Sequence, residues 1–212
     1  MHKPHILVIG VGGLGACMVQ EALERDLKVS VLVRNKARLS EILGEDLAAK
    51  LERVIVGDGN HTDVLDDALA GVDVVLSGRG ADPVLAQEFA TAVKRNQVQK
   101  LCWPGGTTNV LAEDGVTLNY LQLGHLGDWV EGAYQAHKAC IDAIKNAQIN
   151  YVIFCPGRMS GAGQRSADVQ ASIRINRDAG PFVSYEDAAW VMLEAATTDR
   201  FDGQLVSAAT AQ

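Results

Sequence analysis

HILVIGVGGLGACMVQEAL, residues 5–23, decides how the rest of the chain is read. A short β-branched run (5–10) ends at a glycine, and apolar residues at helical spacing follow over 13–26. Between the two stand Gly10, Gly12 and Gly15 in the pattern G-x-G-x-x-G. Alone this pattern is weak, but between a strand and a helix it has a mechanical meaning. Gly10 permits a tight turn, Gly12 lets backbone approach a pyrophosphate, and Gly15 lets the helix pack against the strand. The N–H groups of the first helical turn, at Gly13, Leu14 and Gly15, would then face the phosphates with the positive end of the helix dipole. The plainer alternative is an ordinary tight turn, and the strand–helix–strand context favours the ligand.

Outward from this stretch, strand-length apolar runs alternate with helical segments, the mark of βαβ units and a parallel sheet. Strands are expected at 28–34, 53–58, 72–78, 100–103 and 150–157, with a short last one at 204–208. Helices are expected at 36–50, 62–71 (capped by Thr62 or Asp63), 83–97 (opened by Pro83), 131–148 and 185–198. The stretches 104–127 and 158–181 have no regular pattern. The expected fold is a three-layer α/β doubly wound parallel sheet, an NAD(P)-binding Rossmann fold, as one domain over 1–212. Substrate-side loops are placed at about 104–130 and 156–182, beyond the carboxyl ends of strands, where ligands bind in such sheets.

Composition narrows the partners. The chain has 212 residues, 48% of them hydrophobic, enough for a sizeable core. A formal net charge of −7 argues against nucleic acid, which wants a basic face. No apolar run nears the ~20 residues of a bilayer span, and the first strand begins too early for a signal peptide. Cys17, Cys102, Cys140 and Cys155 are scattered, with no metal-ligand spacing, and read as small buried residues of a reducing cytoplasm. A small-molecule substrate, no metal, and a monomer or homodimer are the expectations.

The end of the second strand, VLVRNKARL, carries Arg34, Lys36 and Arg38 and no acid. An acid there would bind a ribose 2′-hydroxyl, whereas arginine forks onto a 2′-phosphate, so NADP(H) is expected over NAD(H). Positive charge at a helix start is otherwise unfavourable. Asp58, followed by Gly59, could reach an adenine amino group or merely close a turn. Ser77, Gly78 and Arg79 follow the fourth strand and would line the cofactor.

VIGVGGLG, VLVRNKARL, VIVGDGNHTDVLDDALAGVDVVLSGRG, HKACIDAIKNAQINYVIFCPGRM and VSYEDAAWVMLEAATTDRFDG together resemble the NAD(P)H-binding, NmrA-like branch of atypical short-chain dehydrogenases/reductases, over nearly the whole chain. In length and in TTDRFDGQ it is most similar to the biliverdin-IXβ/flavin reductases. The resemblance implies a sheet binding NADP(H) with substrate over the nicotinamide. Two departures stand out. The glycine loop reads GVGGLG rather than GATGxxG, and CWPGGTT places Gly105 or Gly106 where many members have serine, with Thr107 or Thr108 as conceivable substitutes.

Tyr134 and Lys138 share a helix face with the Tyr-x-x-x-Lys spacing of standard short-chain dehydrogenases. There the lysine holds the nicotinamide ribose and the tyrosine relays a proton. His137, 100° round the helix from Lys138, should project away from the cofactor. His125 and Arg158 are substrate-side candidates, the arginine for a carboxylate, against the plainer readings of a loop histidine and a surface ion pair. Trp103 and Trp129 offer a flat wall or belong to the core. The leading expectation is an NADPH-dependent oxidoreductase passing hydride to a small, planar, flavin- or quinone-like acceptor. The alternatives are a non-catalytic NADP(H)-binding sensor and an NAD-dependent epimerase/dehydratase-like enzyme.

Overall fold

A strand covered on both faces needs no apolar–polar alternation, and HILVI shows none: all five residues of β1 (His5–Ile9) are buried. Its one polar member is satisfied, His5 bonding Gly71 O and Ser30 Oγ at 2.8 Å each. The computed structural model describes residues 3–211. Parallel strands need crossovers, and the chain supplies them in sequence. α1 (Gly13–Glu24) leads to β2 (Lys28–Val33), and α2 (Lys36–Leu43) with α3 (Glu45–Ala48) lead to β3 (Arg53–Val56). α4 (Thr62–Leu69) leads to β4 (Val74–Ser77), and α5 (Pro83–Arg95) to β5 (Lys100–Pro104). After α6 (Asn119–Leu123), α7 (Trp129–Asn146) leads to β6 (Tyr151–Phe154). The last third holds β7 (Arg158–Ser160), α8 (Val169–Ser172), β8 (Arg174–Ile175), β9 (Phe182–Ser184), α9 (Tyr185–Thr197) and β10 (Leu205–Ser207).

The main sheet has the order β3-β2-β1-β4-β5-β6-β10-β8. Its pairs are parallel up to β10, and β8 closes one edge antiparallel. β7 and β9 form a separate parallel pair. The strand order reverses at β1, so β1 and β4 flank the crevice in which doubly wound sheets bind ligands. Alternate residues of β1 serve opposite layers. Ile6 and Val8 pack with Met18 and Val19 of α1 and Met192 of α9, whereas Leu7 and Ile9 pack with Leu65, Phe89 and Ile144 of α4, α5 and α7. Each such side chain contributes about 1.5–3 kcal/mol by leaving water. The molecule is therefore a doubly wound α/β sheet between two helical layers.

Several boundaries differ from expectation. The helix expected over 36–50 is two, broken where Gly44 takes φ +75°. α4 is capped by His61 backbone rather than by the side chain of Thr62 or Asp63. α7 opens two residues early, at Trp129. The stretch 104–127 contains α6 and two 3₁₀ turns, and 158–181 contains β7, α8 and β8. Elements of two to five residues are too short to show a hydrophobic period. None of the helices among the described residues is long and apolar enough to cross a membrane.

Candidate functional site

The carboxyl ends of β1 and β4 meet at glycines. Gly10 turns the chain at φ +70°, and Gly12 N–H donates to its carbonyl at 2.9 Å. A Cβ on Gly15 or Gly78 would stand 2.3 or 2.4 Å from Gly10 O, so α1 and both strand ends touch only because side chains are missing there. Gly12 differs: a Cβ on it would meet nothing within 4 Å, so its backbone faces open space. Gly12 caps α1 with no side-chain hydrogen bond, and no acid lies in the first turn. That leaves a helix N-terminus free to receive an anion. Gly13 is covered by the Tyr185 ring, 2.5 Å from where its Cβ would be, and Leu14 is buried. Gly13, Leu14 and Gly15 therefore offer a ligand only backbone.

From this loop a cavity of about 440 Å³ runs over the ends of β2 and β3. Arg34, Arg38, Asp58, Gly59, Arg79 and Asp82 are among the residues that line it. Asn35 caps α2 by accepting from Ala37 N and Arg38 N at 2.9 and 3.3 Å. The cap satisfies two free N–H groups of the first turn, while both guanidinium groups stay exposed without an acidic partner among the described residues. Asp58 Oδ1 accepts Asn60 N–H at 3.0 Å, which closes the turn. Arg79 lies across the glycine loop, its Cγ 2.5 Å from where a Gly10 Cβ would stand, and donates to Asp82 at 2.8 Å. The Ser77 side chain is fully buried, and its hydroxyl donates to Arg79 O and accepts from Arg79 N, so it shapes the turn and leaves only backbone for a ligand.

The other end of the sheet edge, after β5, departs further. Tyr134 is stacked on Tyr120 at 4.0 Å and 15°. Lys138 is exposed and bonded to Asp142 at 2.5 Å, and that carboxylate holds its ammonium above the usual lysine range. Tyr134, one turn before Lys138, is near enough to act weakly on the same ammonium. His137, expected to project away, packs instead on the glycines that end β4 and β5: a Cβ on Gly80 or Gly106 would lie 3.2 or 2.8 Å from its ring. Burial pushes its imidazole below the usual histidine range. Thr107 Oγ1 donates to Asp178 at 2.5 Å, and Thr108 Oγ1 donates to Asn109 Oδ1 at 3.0 Å, so both hydroxyls are engaged.

His125 is exposed and bonded to Gln122 O within its own turn. Arg158 is exposed over the Phe182 ring at 5.8 Å and has no acidic partner among the described residues. Trp103 is core, its indole donating to Gly80 O at 3.1 Å, whereas Trp129 stands exposed. Burial raises the Cys102 and Cys155 thiols to about 12. No group of three or more His, Cys, Asp or Glu among the described residues could hold a metal ion.

A family model described as NAD(P)H-binding matches residues 10–199, from the glycine loop to the end of α9. The chain belongs to the NAD(P)H-binding family. No curated protein matches it in sequence. This NAD(P)H-binding chain shares its fold with ChuY, an anaerobillin reductase from Escherichia coli O157:H7 (TM-score 0.71, 19% identity, 96% of each chain). A short-chain dehydrogenase/reductase from Veillonella parvula, solved with NADP, superposes with a TM-score of 0.77 at 14% identity, over 99% of this chain and 95% of that one. An assigned NADH-flavin reductase from Streptococcus pneumoniae gives 0.72 at 16%, over 99% and 100%. At these identities the likeness is one of fold. Asn35 and Tyr185 lie at the glycine loop and the basic helix start without having been singled out in the sequence, and His137 points the other way from expectation. Asn35 was legible, being an N-cap type directly before the helix.

Proposed function

We propose that this NAD(P)H-binding protein is an NADPH-dependent reductase that delivers hydride to a small, planar acceptor. The observation that carries the reading is the cavity joining the open glycine loop to two arginines without an acidic partner among the described residues. In it Arg34 and Arg38 would take the 2′-phosphate, and the α1 N-terminus with Arg79 the pyrophosphate. Asp58 keeps one carboxylate oxygen for the adenine amino group. The bound cofactor supplies hydride at its nicotinamide. The acceptor lies beyond it, against 104–130 and 156–182, where Arg158 is a cation open to an acidic substituent.

Tyr134, its ring stacked on Tyr120, and Lys138, paired with Asp142 at the surface, are the helix residues for a proton relay and for the nicotinamide ribose. An acceptor such as a flavin or quinone can take its proton from water. Calorimetric titration with NADPH and NADH tests the assignment. Tighter binding of NADPH by about tenfold, ~1.4 kcal/mol, is expected, with the preference lost in Arg34→Ala. Binding of neither nucleotide overturns the reading. Tight NADPH binding without turnover of flavins, quinones or small carbonyls would make the protein a sensor instead.

A further inference from the structure

We propose that His137 is the catalytic residue that touches the acceptor, donating its imidazole N–H to the oxygen or nitrogen on which charge gathers during reduction. This inference rests on the reductase reading above. α7 places the ring at the carboxyl ends of β4 and β5, in a space that exists because positions 80 and 106 have no side chain. A Cβ on Gly106 would stand 2.8 Å from Cδ2 and 3.1 Å from Nε2. A Cβ on Gly105 would instead point into the core at Ile153 and Cys155. The imidazole from the helix therefore fills the place into which a side chain at 106 would project.

Other donors nearby are engaged. The Thr107 and Thr108 hydroxyls donate to Asp178 and Asn109. His137 Nδ1 is buried with no hydrogen-bond partner. Leaving an N–H unpaired there would cost about 1–3 kcal/mol, so the proton belongs on Nε2, the nitrogen beside Gly106. Burial keeps the ring neutral, and a neutral imidazole polarises its partner without giving up a proton.

The chemistry then balances simply. The acceptor gains two electrons and one hydrogen as hydride from the reduced nicotinamide, which is left oxidised. The acceptor's π pair moves onto its terminal oxygen or nitrogen, the Nε2–H hydrogen bond stabilises that charge, and water supplies the second hydrogen as a proton. A preorganised donor aimed at developing charge is worth about 100-fold in rate.

The test uses flavin mononucleotide and menadione as acceptors. His137→Ala is expected to lower kcat/KM about 100-fold with NADPH affinity unchanged, and His137→Gln, which keeps an N–H, to recover most of it. Gly106→Ala, whose methyl displaces the ring, should mimic His137→Ala. Independently of turnover, imidazole ¹⁵N spectra should show the Nε2–H tautomer in the free protein. Adding flavin mononucleotide to NADP⁺-saturated protein should then shift the His137 signal. Unchanged kcat/KM in His137→Ala, or a His137 signal that neither acceptor moves, overturns the proposal while leaving the reductase reading intact. Failure of the wild type to bind NADPH removes both.

Discussion

The meaning of His137 depends wholly on what it faces. Its imidazole is held below the ordinary value by burial, and the unfolded chain titrates near 6.5. As pH falls, the unfolded state therefore takes up the proton first. The stability due to the neutral ring is present above about pH 6.5 and is drawn down below it, toward the folded value. The thermal midpoint of wild type relative to His137→Gln should thus decline between pH 7.5 and 5 by calorimetry. A constant difference would show that the ring titrates normally. The sequence contained a signal for its direction: Cys140, Ile141 and Ile144 lie three, four and seven residues on, and all are buried. Reading the face from Lys138 instead placed His137 outside, because a Tyr-x-x-x-Lys spacing says which residues share a face and not which way it points.

Elements show a similar split. α9 begins YED after Ser184, whose side chain accepts Asp187 N–H, an expected helix start. The two acids do more than favour the dipole. Glu186 accepts the N–H groups of Ala162 and Gly163, and buried Asp187 accepts Ser166 N–H, Ser166 Oγ–H and Thr210 Oγ1–H. The first turn of α9 thereby holds the loop after β7 and the chain's end together. Asp187→Ala should destabilise the fold by about 3 kcal/mol, since buried donors lose a charged acceptor. It should also speed amide exchange at Ser166, read by denaturant unfolding and hydrogen exchange. Protection of Ser166 as in wild type would count against this clamp. Ser166 stands 21 residues before Asp187, a pairing that no local pattern announces.

At the scale of the molecule, the cavity ties cofactor binding to the stability of the sheet, because its lining is made of strand ends and helix starts. NADPH at a hundredfold excess over its Kd should add about 2.7 kcal/mol. For a domain of this size that raises Tm by roughly 5–10 °C in thermal scans. No shift would mean that the crevice does not hold the nucleotide. The alternation of strands and helices from β1 to β6, the glycine turn and the basic end of β2 were determined by the sequence alone, because each depends on neighbours a few residues apart: apolar period, glycine spacing, charge at a helix start. Only the tertiary structure decided that Ser77 is buried, that Lys138 is occupied by Asp142, and that His137 fills the space beside Gly106. Those facts are set by how α7 rotates against β4 and β5, and that rotation is fixed by close packing between segments far apart in the chain.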